Sequence, residues 1–482
     1  MKMVDGCESC DVSKIVTTFL LNTCRLPQRL TEYDVMAAMY CIVLASKNPT
    51  DDERGECFPL TTGSVAEFYI EPMLPHVGDY DIMYHYSDML VIPRGHPPPT
   101  QLPAEFHNYV KVLEITDSHL PGYVYLEVRY LLTLCNDDDK YNSVEYERGR
   151  YAINNLIYAP YISELQSHNV VCEMHGPAVS AYDEEILMPF DAVHCVRCLV
   201  WPPQAADWPT RHRNYGWPDS ATLDRVVSNG CDVVGVAHRQ CRQHEWMGKR
   251  QHRLSFSRAE IVLINSWMPV QQIVYHLLRY FIKTERLTGC ADNSGAGTLS
   301  NYHIKTVMLW ACELKPRSWW TENLNLVRIC VELLKTLSVW LTDTRCPHYF
   351  INNCNLLDKS FNVESVASKL MSVEEKYLST WFVNNYIRQC AQLCPENVSR
   401  LFNDLSTCTK LQNAVSEIVR WRLKSSMHEL WLMVGSTGYP IAAFVSVYSL
   451  TVRLTVYWMN KLAAIDKRFC FLFSRCVATR CT

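Results

Sequence analysis

Hydrophobic residues change their spacing along the chain, and this change predicts two regions of different structure. Between residues 51 and 215, short apolar runs are bounded by Pro, Gly and polar clusters, which is typical of strands and short helices. From Arg253 onward, apolar residues recur at steps of three and four, which predicts helices, one of them beginning near Pro269. The pattern therefore predicts an α+β protein with a mixed α/β lobe, a helical lobe and a binding cleft between them.

The same pattern divides the chain into four segments. They are an N-terminal helical segment, a mixed core, a helical lobe and a basic, partly hydrophobic tail, at residues 1–50, 51–215, 216–390 and 391–482. Within the core, residues 110–115 and 123–130 are candidates for strands or short helices. Residues 91–93 are expected to form a strand separate from the one that precedes them.

Two short motifs in the core indicate a nucleotide site. Gly63 and Ser64 form a small turn that can present backbone N–H groups and a hydroxyl to phosphate. Asp79 and Asp81 follow, and a strand would place both carboxylates on one face because its side chains alternate. Two ionised carboxylates side by side call for a cation, and Mg²⁺ prefers hard oxygen ligands. The alternative reading of the same residues is a solvated turn followed by a surface strand.

A third aspartate lies in a later apolar run, at residues 185–200. Asp191, Cys195 and Arg197 would fall on one face of a strand there. Burying a lone aspartate costs free energy unless something pairs with it. A metal ion shared with Asp79 and Asp81 is one such partner, and a salt bridge to Arg197 is the other.

The composition limits the class of protein without indicating a function. Apolar residues make up 48% of the 482 residues and charged residues 20%, which is typical of a globular protein large enough for two lobes. The net charge of −4 gives no overall electrostatic case for nucleic-acid binding, so such binding would need a local basic patch. The first residues lack the apolar core of a signal peptide, so the 22 cysteines are expected to be reduced and the protein cytoplasmic.

The spacing of cysteine and histidine does not predict a zinc site. Cys7 and Cys10 have no matching second pair, and Cys195 and Cys198 would point to opposite faces of a strand. The set closest to a zinc site has a non-standard spacing, which favours core or surface roles for its members, Cys231, His238, Cys241 and His244.

Four ordered blocks of the sequence resemble one protein family. They are TGS at residues 62–64, DYDIM at 79–83, RLSFSRAE at 253–260 and YHIKTVMLWACE at 302–313. Together they resemble the male-abnormal (Mab) family and its relatives, the invertebrate-type cyclic GMP-AMP synthase-like receptors. The resemblance covers about residues 50–390, and it implies a bilobal nucleotidyltransferase fold.

The resemblance also implies a role for each matching residue. Asp79, Asp81 and Asp191 would be the catalytic acids and would hold two Mg²⁺ or Mn²⁺ ions. The residues expected to contact nucleotides are Thr62, Ser64, Arg253, Ser255, Ser257, Glu260, Asn301, Tyr302 and Lys305. Tyr302 would stack on the donor base, and Lys305 would lie near its phosphates. Without the resemblance, a helix-core position for Tyr302 and a salt bridge between lobes for Arg253 are the alternatives.

The sequence departs from the family pattern in two places. Between the arginine block and the tyrosine block the sequence has one cysteine, Cys290, which is too few to bind a structural zinc ion, so none is expected. The lysine expected in the helix before the tyrosine block is replaced by Tyr275 or His276, which removes one positive charge from the expected phosphate site.

The resemblance implies that the chain joins two nucleoside triphosphates, ATP and GTP, into a cyclic dinucleotide. In this reading, double-stranded RNA or DNA activates the enzyme in innate immune sensing. One alternative is a catalytically silent member of the family that binds nucleotide or protein partners. Another is an enzyme that makes a linear oligonucleotide.

The tail contains an uncharged stretch at residues 431–452, which is long enough to span a bilayer. Basic residues follow it, and the positive-inside rule would then place the lobes outside the cell, away from nucleotides. A core helix, a membrane-surface element and a poorly ordered tail are the alternatives. The basic residues of the tail could also contact nucleic acid.

Overall fold

The computed structural model describes most of both lobes. The described residues are Ser13, Thr17, 57–67, 80–103, 105–135, 140–147, 152–154, 171–175, 178–182, 190–287, 299–322, 325–357 and 364–387. Those up to Tyr386 belong to one compact unit. Several predictions lie outside the described residues: most of the helical segment 1–50, the acid Asp79 and the tail 391–482.

Ten strands of the described chain form a single sheet. They are β1 (Cys57–Thr62), β2 (Tyr80–Ile92), β3 (Tyr109–Asp117), β4 (Tyr123–Leu134), β5 (Tyr141–Glu145), β6 (Val171–His175), β7 (Ala178–Tyr182), β8 (Phe190–Cys198), β9 (Cys231–Val234) and β10 (His252–Ser255). Their order is β1-β2-β3-β4-β10-β9-β8-β7-β6, and β5 pairs with β4. Because β2 also pairs with β8, six strands form a closed ring of paired strands, in the order β2, β3, β4, β10, β9 and β8.

The strands confirm part of the sequence reading and correct part of it. Residues 110–115 and 123–130, which were candidates for strands or short helices, lie in strands. The prediction of a separate strand at 91–93 is wrong, because one continuous strand runs from Tyr80 to Ile92. The polar residues in the middle of β2 suggested that the strand is interrupted there, but His85 and Ser87 are buried in the sheet. The domain boundary near residue 215 stays a prediction, and β9 and β10 lie beyond it.

The α-helices of the described chain lie mostly after residue 215, in the helical lobe. They are α1 (Gly63–Glu67), α2 (Asp207–Thr210), α3 (Ser220–Ser228), α4 (Glu245–Arg250), α5 (Ser257–Asn265), α6 (Pro269–Thr284), α7 (Asn301–Leu314), α8 (Arg317–Thr321), α9 (Leu326–Thr342), α10 (Glu364–Met371) and α11 (Glu375–Phe382). Helix α6 begins at Pro269, as predicted, and is buried along most of its length. No described helix is long and apolar enough to cross a membrane, and residues 431–452 lie outside the described chain.

A buried ion cluster ties β2, β8, β9 and α5 together. Its centre is Asp232 on β9, whose side chain is fully buried. Asp232 Oδ1 lies 3.0 Å from His85 Nε2, and Asp232 Oδ2 lies 3.2 Å from Arg258 Nε. Arg197 Nη1 lies 3.5 Å from Asp232 Oδ1 and donates at 2.9 Å to the carbonyl of Cys231.

These contacts decide the charge of each group in the cluster. Burial lowers the pKa of His85, so its ring is neutral at neutral pH and its Nε2–H donates to Asp232. Burial alone would raise the pKa of Asp232, but His85, Arg258 and Arg197 outweigh it and lower the pKa to about 2. Asp232 is therefore ionised in the folded state under ordinary conditions.

A second buried cluster joins α1 to the helical lobe. Lys305 Nζ on α7 lies 2.7 Å from Glu260 Oε2 on α5, and it also pairs with Glu67 at the end of α1. The Tyr275 hydroxyl on α6 donates to Glu67 Oε2 at 3.3 Å. Burial raises the pKa of Glu67, and the nearby charge of Glu260 adds to this effect. Burial would lower the pKa of Lys305, but the two carboxylates outweigh it and raise that pKa, so Lys305 stays protonated.

We expect Asp232→Asn to destabilise the fold by about 3–5 kcal/mol, because it leaves two guanidiniums near a buried site without a carboxylate. The pKa of Asp232 is lowered in the folded state, so its contribution is present above pH 3.8 and is lost as the pH falls toward about 2. Denaturant unfolding measures both effects. Asp224→Asn, at an exposed position on α3, is the matched control. A loss no larger than that of the control would contradict this account.

We expect Lys305→Met to destabilise the protein by about 3–5 kcal/mol at neutral pH, because two buried carboxylates then repel each other. Burial raises the pKa of Glu67, so this carboxylate is the one that protonates as the pH falls below neutrality, and the deficit should shrink as it does. Thermal unfolding across this pH range measures it, with Lys335→Met at an exposed position on α9 as the control. Adding Glu67→Gln and Glu260→Gln should restore stability. A deficit that is independent of pH would rule out the repulsion.

Candidate functional site

Two of the three predicted acids lie side by side. Asp81 on β2 is the register partner of Asp191 on β8, and these two strands run parallel. Neighbouring strands are about 4.8 Å apart, and side chains of register partners point to the same face, so the two carboxylates share one face of the sheet. Both residues are half-buried. Asp79 precedes the first described residue of β2.

The turn at Gly63 is pressed against Asp81. Thr62, the last residue of β1, pairs with Asp81, and its Oγ1 donates at 3.3 Å to the Asp81 carbonyl. Gly63 has a φ of +61°, and a Cβ built on it would lie 1.8 Å from Asp81 Oδ2. Only glycine fits this position, because any side chain would displace the carboxylate. Ser64 follows as the second residue of α1.

These residues fit a hard divalent cation. Asp81 and Asp191 offer carboxylate oxygens on one face, which are the ligands that Mg²⁺ and Mn²⁺ prefer. The bare backbone at Gly63 makes room for the Asp81 carboxylate, which occupies the space that a side chain would fill. Arg197, the alternative partner of Asp191, is instead engaged with Asp232 and with backbone carbonyls.

A second group of metal-ligating side chains lies further along the same strands. Ligand atoms of His85, Cys195 and Asp232 lie within 4.8 Å of one another, and all three residues are buried. A thiol is a poor ligand for Mg²⁺. Two guanidiniums already contact Asp232, so this cluster is an ion pair that holds strands together.

His238 and His244 belong to the set whose spacing is closest to a zinc site, but both have other roles. The His238 ring accepts a hydrogen bond from the Gln240 amide at 3.3 Å, and the His244 ring accepts one from the Met247 amide at 3.2 Å. Both side chains therefore cap the start of a short helical turn. Within the described chain, these residues do not gather into a metal-binding group.

Several of the predicted nucleotide-binding residues share one neighbourhood. The Tyr302 hydroxyl lies 3.4 Å from His348 Nε2, and Lys305 Nζ lies 5.7 Å from the centre of the Tyr302 ring. Burial and then the charge of Glu260 raise the pKa of Tyr302, while Arg253 opposes them. Burial lowers the pKa of His348 to about 4, so its ring is neutral. Tyr302 is half-buried, and Arg253 is exposed on β10.

The smaller polar residues of the set offer hydrogen-bonding groups. Ser255 Oγ and Ser257 Oγ lie 3.1 Å apart where β10 leads into α5. Asn301 Oδ1, at the start of α7, is buried and accepts no hydrogen bond from the described protein atoms. An unsatisfied buried acceptor costs free energy, so a ligand or water that donates to it would be favoured there.

Positive charge is scarce where the phosphates were expected. Lys305 is engaged by Glu67 and Glu260. Tyr275 and His276, at the positions of the expected lysine, are both buried. His276 Nε2 lies 3.0 Å from the Tyr386 hydroxyl, and burial lowers the pKa of His276 to about 3, so it is neutral.

Sequence reasoning missed three residues that organise this region. Asp232 is a lone acid in the apolar strand CDVV, the same signal that identified Asp191, and it could have been found in the same way. Glu67 and His348 gave no such signal. Glu67 ends a short helix that reads as exposed, and His348 lies in a loop, so only the folded chain shows what each contacts.

Comparisons with known proteins match both lobes. The model of the Mab-21 protein nucleotidyltransferase domain matches residues 102–266, and that of the Mab-21 protein HhH/H2TH-like domain matches residues 271–375. A relative named Protein mab-21-like, from Aedes aegypti, is 28% identical over 165 residues. The match covers 33% of this chain and 40% of the relative, so it spans less than half the length of that protein. The two adjoining domains, in this order and on this fold, make the chain a member of the Mab-21 family.

Proposed function

We propose that the chain is an enzyme that joins two nucleoside triphosphates into a cyclic dinucleotide. The observation that carries this proposal is the register of Asp81 and Asp191, which sets two carboxylates on one face beside the Gly63 turn. The nucleotidyltransferase domain of the Mab-21 family supports the reaction class. ATP and GTP as substrates, a double-stranded RNA or DNA activator, innate immune sensing and a cytoplasmic location belong to the same proposal.

The reaction is a nucleotidyl transfer carried out twice. A ribose hydroxyl of one nucleotide attacks the α-phosphorus of the other, and a new P–O bond forms. The bond between the α-phosphorus and the bridging oxygen breaks, pyrophosphate leaves, and the hydroxyl proton passes to water. A second transfer within the linear intermediate closes the ring and releases a second pyrophosphate.

The residues of the chain bind and orient the reactants. Asp81 and Asp191, with Asp79, would hold the divalent cations. Bound Mg²⁺ or Mn²⁺ would lower the pKa of the attacking hydroxyl and offset charge on the leaving pyrophosphate. Thr62 and Ser64 would line the phosphate chain, and Glu67 fixes the helix on which Ser64 lies.

The proposed base-binding residues come from β10, α5 and α7. Tyr302 presents a half-buried aromatic ring, and Arg253 presents an exposed guanidinium. Ser255, Ser257 and Asn301 offer hydrogen-bonding groups to a base or ribose. Glu260 and Lys305 act as positioning residues, because they contact each other.

A catalytically silent protein is the second candidate function. The buried Tyr275 and His276, together with the engaged Lys305, favour it, because they leave no lysine there for the triphosphate. Such a protein would keep the fold and bind a nucleotide or a protein partner. An enzyme that stops at the linear product is a further alternative.

We expect Asp191→Asn and Asp81→Asn each to lower product formation by at least about 100-fold, because each removes a carboxylate from the proposed metal site. The full chain is incubated with ATP, GTP and Mg²⁺ or Mn²⁺, with and without double-stranded RNA or DNA. Products are resolved by mass spectrometry, and phosphatase resistance separates cyclic from linear ones. Asp88→Asn is the control, because Asp88 lies on β2 like Asp81 but pairs with Lys111. If the wild type gives no product in any mixture while still binding nucleotide, the silent alternative is favoured.

We expect Gly63→Ala to abolish product formation without unfolding the protein. The added Cβ would lie 1.8 Å from Asp81 Oδ2, so the carboxylate must leave its position beside the turn. The left-handed backbone at Gly63 adds about 1–2 kcal/mol of strain. Gly95→Ala is the control, since Gly95 also has positive φ but has open space around it. Activity of Gly63→Ala equal to that of the control would contradict the close approach.

A further inference from the structure

The loop that follows α9 is closed by its own backbone. It comprises residues 346–357, and we call it the His348 loop. The His348 amide donates to the Cys354 carbonyl at 2.8 Å, and the Leu356 amide donates to the Cys346 carbonyl, also at 2.8 Å. These hydrogen bonds join the two ends of the loop, so they hold the backbone beneath His348 in place.

Aromatic packing seats the His348 loop on the start of α5. The buried ring of Phe350 stacks on Phe256, with ring centres 4.6 Å apart and an angle of 15° between the ring planes. The His348 ring meets the same Phe256 ring edge to face, with ring centres 5.7 Å apart. Phe256 directly precedes α5, the helix that carries Glu260. The packing therefore fixes the His348 ring relative to Glu260.

The backbone of the loop also decides which ring nitrogen of His348 carries the proton. The amides of Phe350 and Ile351 both donate to His348 Nδ1, each at 3.1 Å. A ring nitrogen that accepts a hydrogen bond carries no proton, so the proton of the neutral ring lies on Nε2. His348 Nε2 lies 3.4 Å from the Tyr302 hydroxyl and therefore directs its N–H at that oxygen.

The proton of the Tyr302 hydroxyl is directed at Glu260. The two side chains form a hydrogen bond, and a carboxylate can only accept, so Tyr302 is the donor. Lys305 Nζ pairs with the same carboxylate at 2.7 Å from Oε2. The hydrogen bonds therefore run in one direction, from the loop amides to His348, from His348 to Tyr302 and from Tyr302 to Glu260.

We propose that His348 is a positioning residue that orients the Tyr302 ring for stacking on a purine base. This inference rests on the proposed function, in which Tyr302 contacts a base. A hydrogen bond on each side of the hydroxyl fixes the far end of the ring, and with it the direction in which the ring faces point. Stacking depends on that direction, and a side chain that is already ordered loses less entropy when it binds a ligand.

The same hydrogen bonds limit what Tyr302 can recognise. Its hydroxyl has one proton, which goes to Glu260, so none is left for an acceptor atom on a base. Stacking by itself tolerates different bases, because every base has an aromatic face. Tyr302 is therefore expected to add affinity for ATP and GTP alike, and His348 should support both to the same extent.

Two substitutions of His348 separate closure of the loop from positioning of Tyr302. Asn places its side-chain oxygen near the position of Nδ1, so His348→Asn keeps an acceptor for the two loop amides and removes the donor to Tyr302. Gln is longer by one carbon and places its amide nitrogen near the position of Nε2, so His348→Gln keeps that donor. A residue that only closes the loop would be replaced better by Asn, whereas a positioning residue would be replaced better by Gln.

We expect His348→Asn to raise the KM for both ATP and GTP about 10-fold, because the loss of an ordered stacking partner weakens binding of the base. It should change kcat less than about 3-fold, since the acids of the proposed metal site are untouched. His348→Gln should keep KM within about 3-fold of the wild type. The control is His212→Asn, at an exposed histidine that contacts Asn214.

The Kd of ATP with Mg²⁺, measured by calorimetry on the full chain, gives the same comparison when no product forms. Equal losses in His348→Asn and His348→Gln, or a loss in kcat alone, would overturn the positioning role. A wild type that does not bind ATP would overturn it as well. A wild type that binds ATP and makes no product would count against the proposed catalysis, but the Kd values of the variants would still test His348.

A double-variant cycle tests the contact itself without nucleotide. The thermal midpoints of His348→Asn, Tyr302→Phe and the double variant are compared with that of the wild type. Both single substitutions remove the hydrogen bond between these side chains, so the loss in the double variant should be smaller than the sum of the single losses. Additive losses would show that the two residues act independently, and His348 would then not position Tyr302.

Discussion

The ion pairs of Lys305 with Glu67 and Glu260 are the interaction on which the candidate site depends. Helix α1 has only five residues, and so short a helix is not stable by itself. Its last residue, Glu67, is fixed by Lys305 from α7 and by Tyr275 from α6. The turn at Gly63 therefore stays against Asp81 because the far end of its helix is anchored in the other lobe.

Asp232 plays the corresponding part within the sheet. It joins β9 to β2 through His85, to β8 through Arg197 and to α5 through Arg258. Apolar residues could fill the same volume with equal or greater stability, so a buried charge is weak evidence for stability alone. A charge must meet its partners, however, and a shift of β2 by one residue would turn His85 to the opposite face. The cluster thus favours the register that also sets Asp81 beside Asp191.

Much of the fold could be predicted from the sequence, because alternation and helical periodicity are local. Strands β3 and β4, the helix at Pro269 and the apolar run around Asp191 all follow from nearby residues. The partners of Lys305 could not be predicted, because Glu67 and Glu260 are distant in sequence and lie in different elements. Lys305 was expected to meet phosphate, and a lysine that pairs with carboxylates has the same local pattern.

The distribution of charge constrains how this fold could hold a triphosphate. The lysine nearest the Tyr302 ring is paired with two carboxylates, and the positions expected to hold another lysine are buried and neutral. Asp81 and Asp191 add further negative charge on one face of the sheet. A triphosphate beside them would be repelled unless divalent cations bridged the two, so binding at this site should depend on metal more than on side-chain cations. Nucleotide affinity that is unchanged by chelation would therefore argue that the nucleotide lies elsewhere.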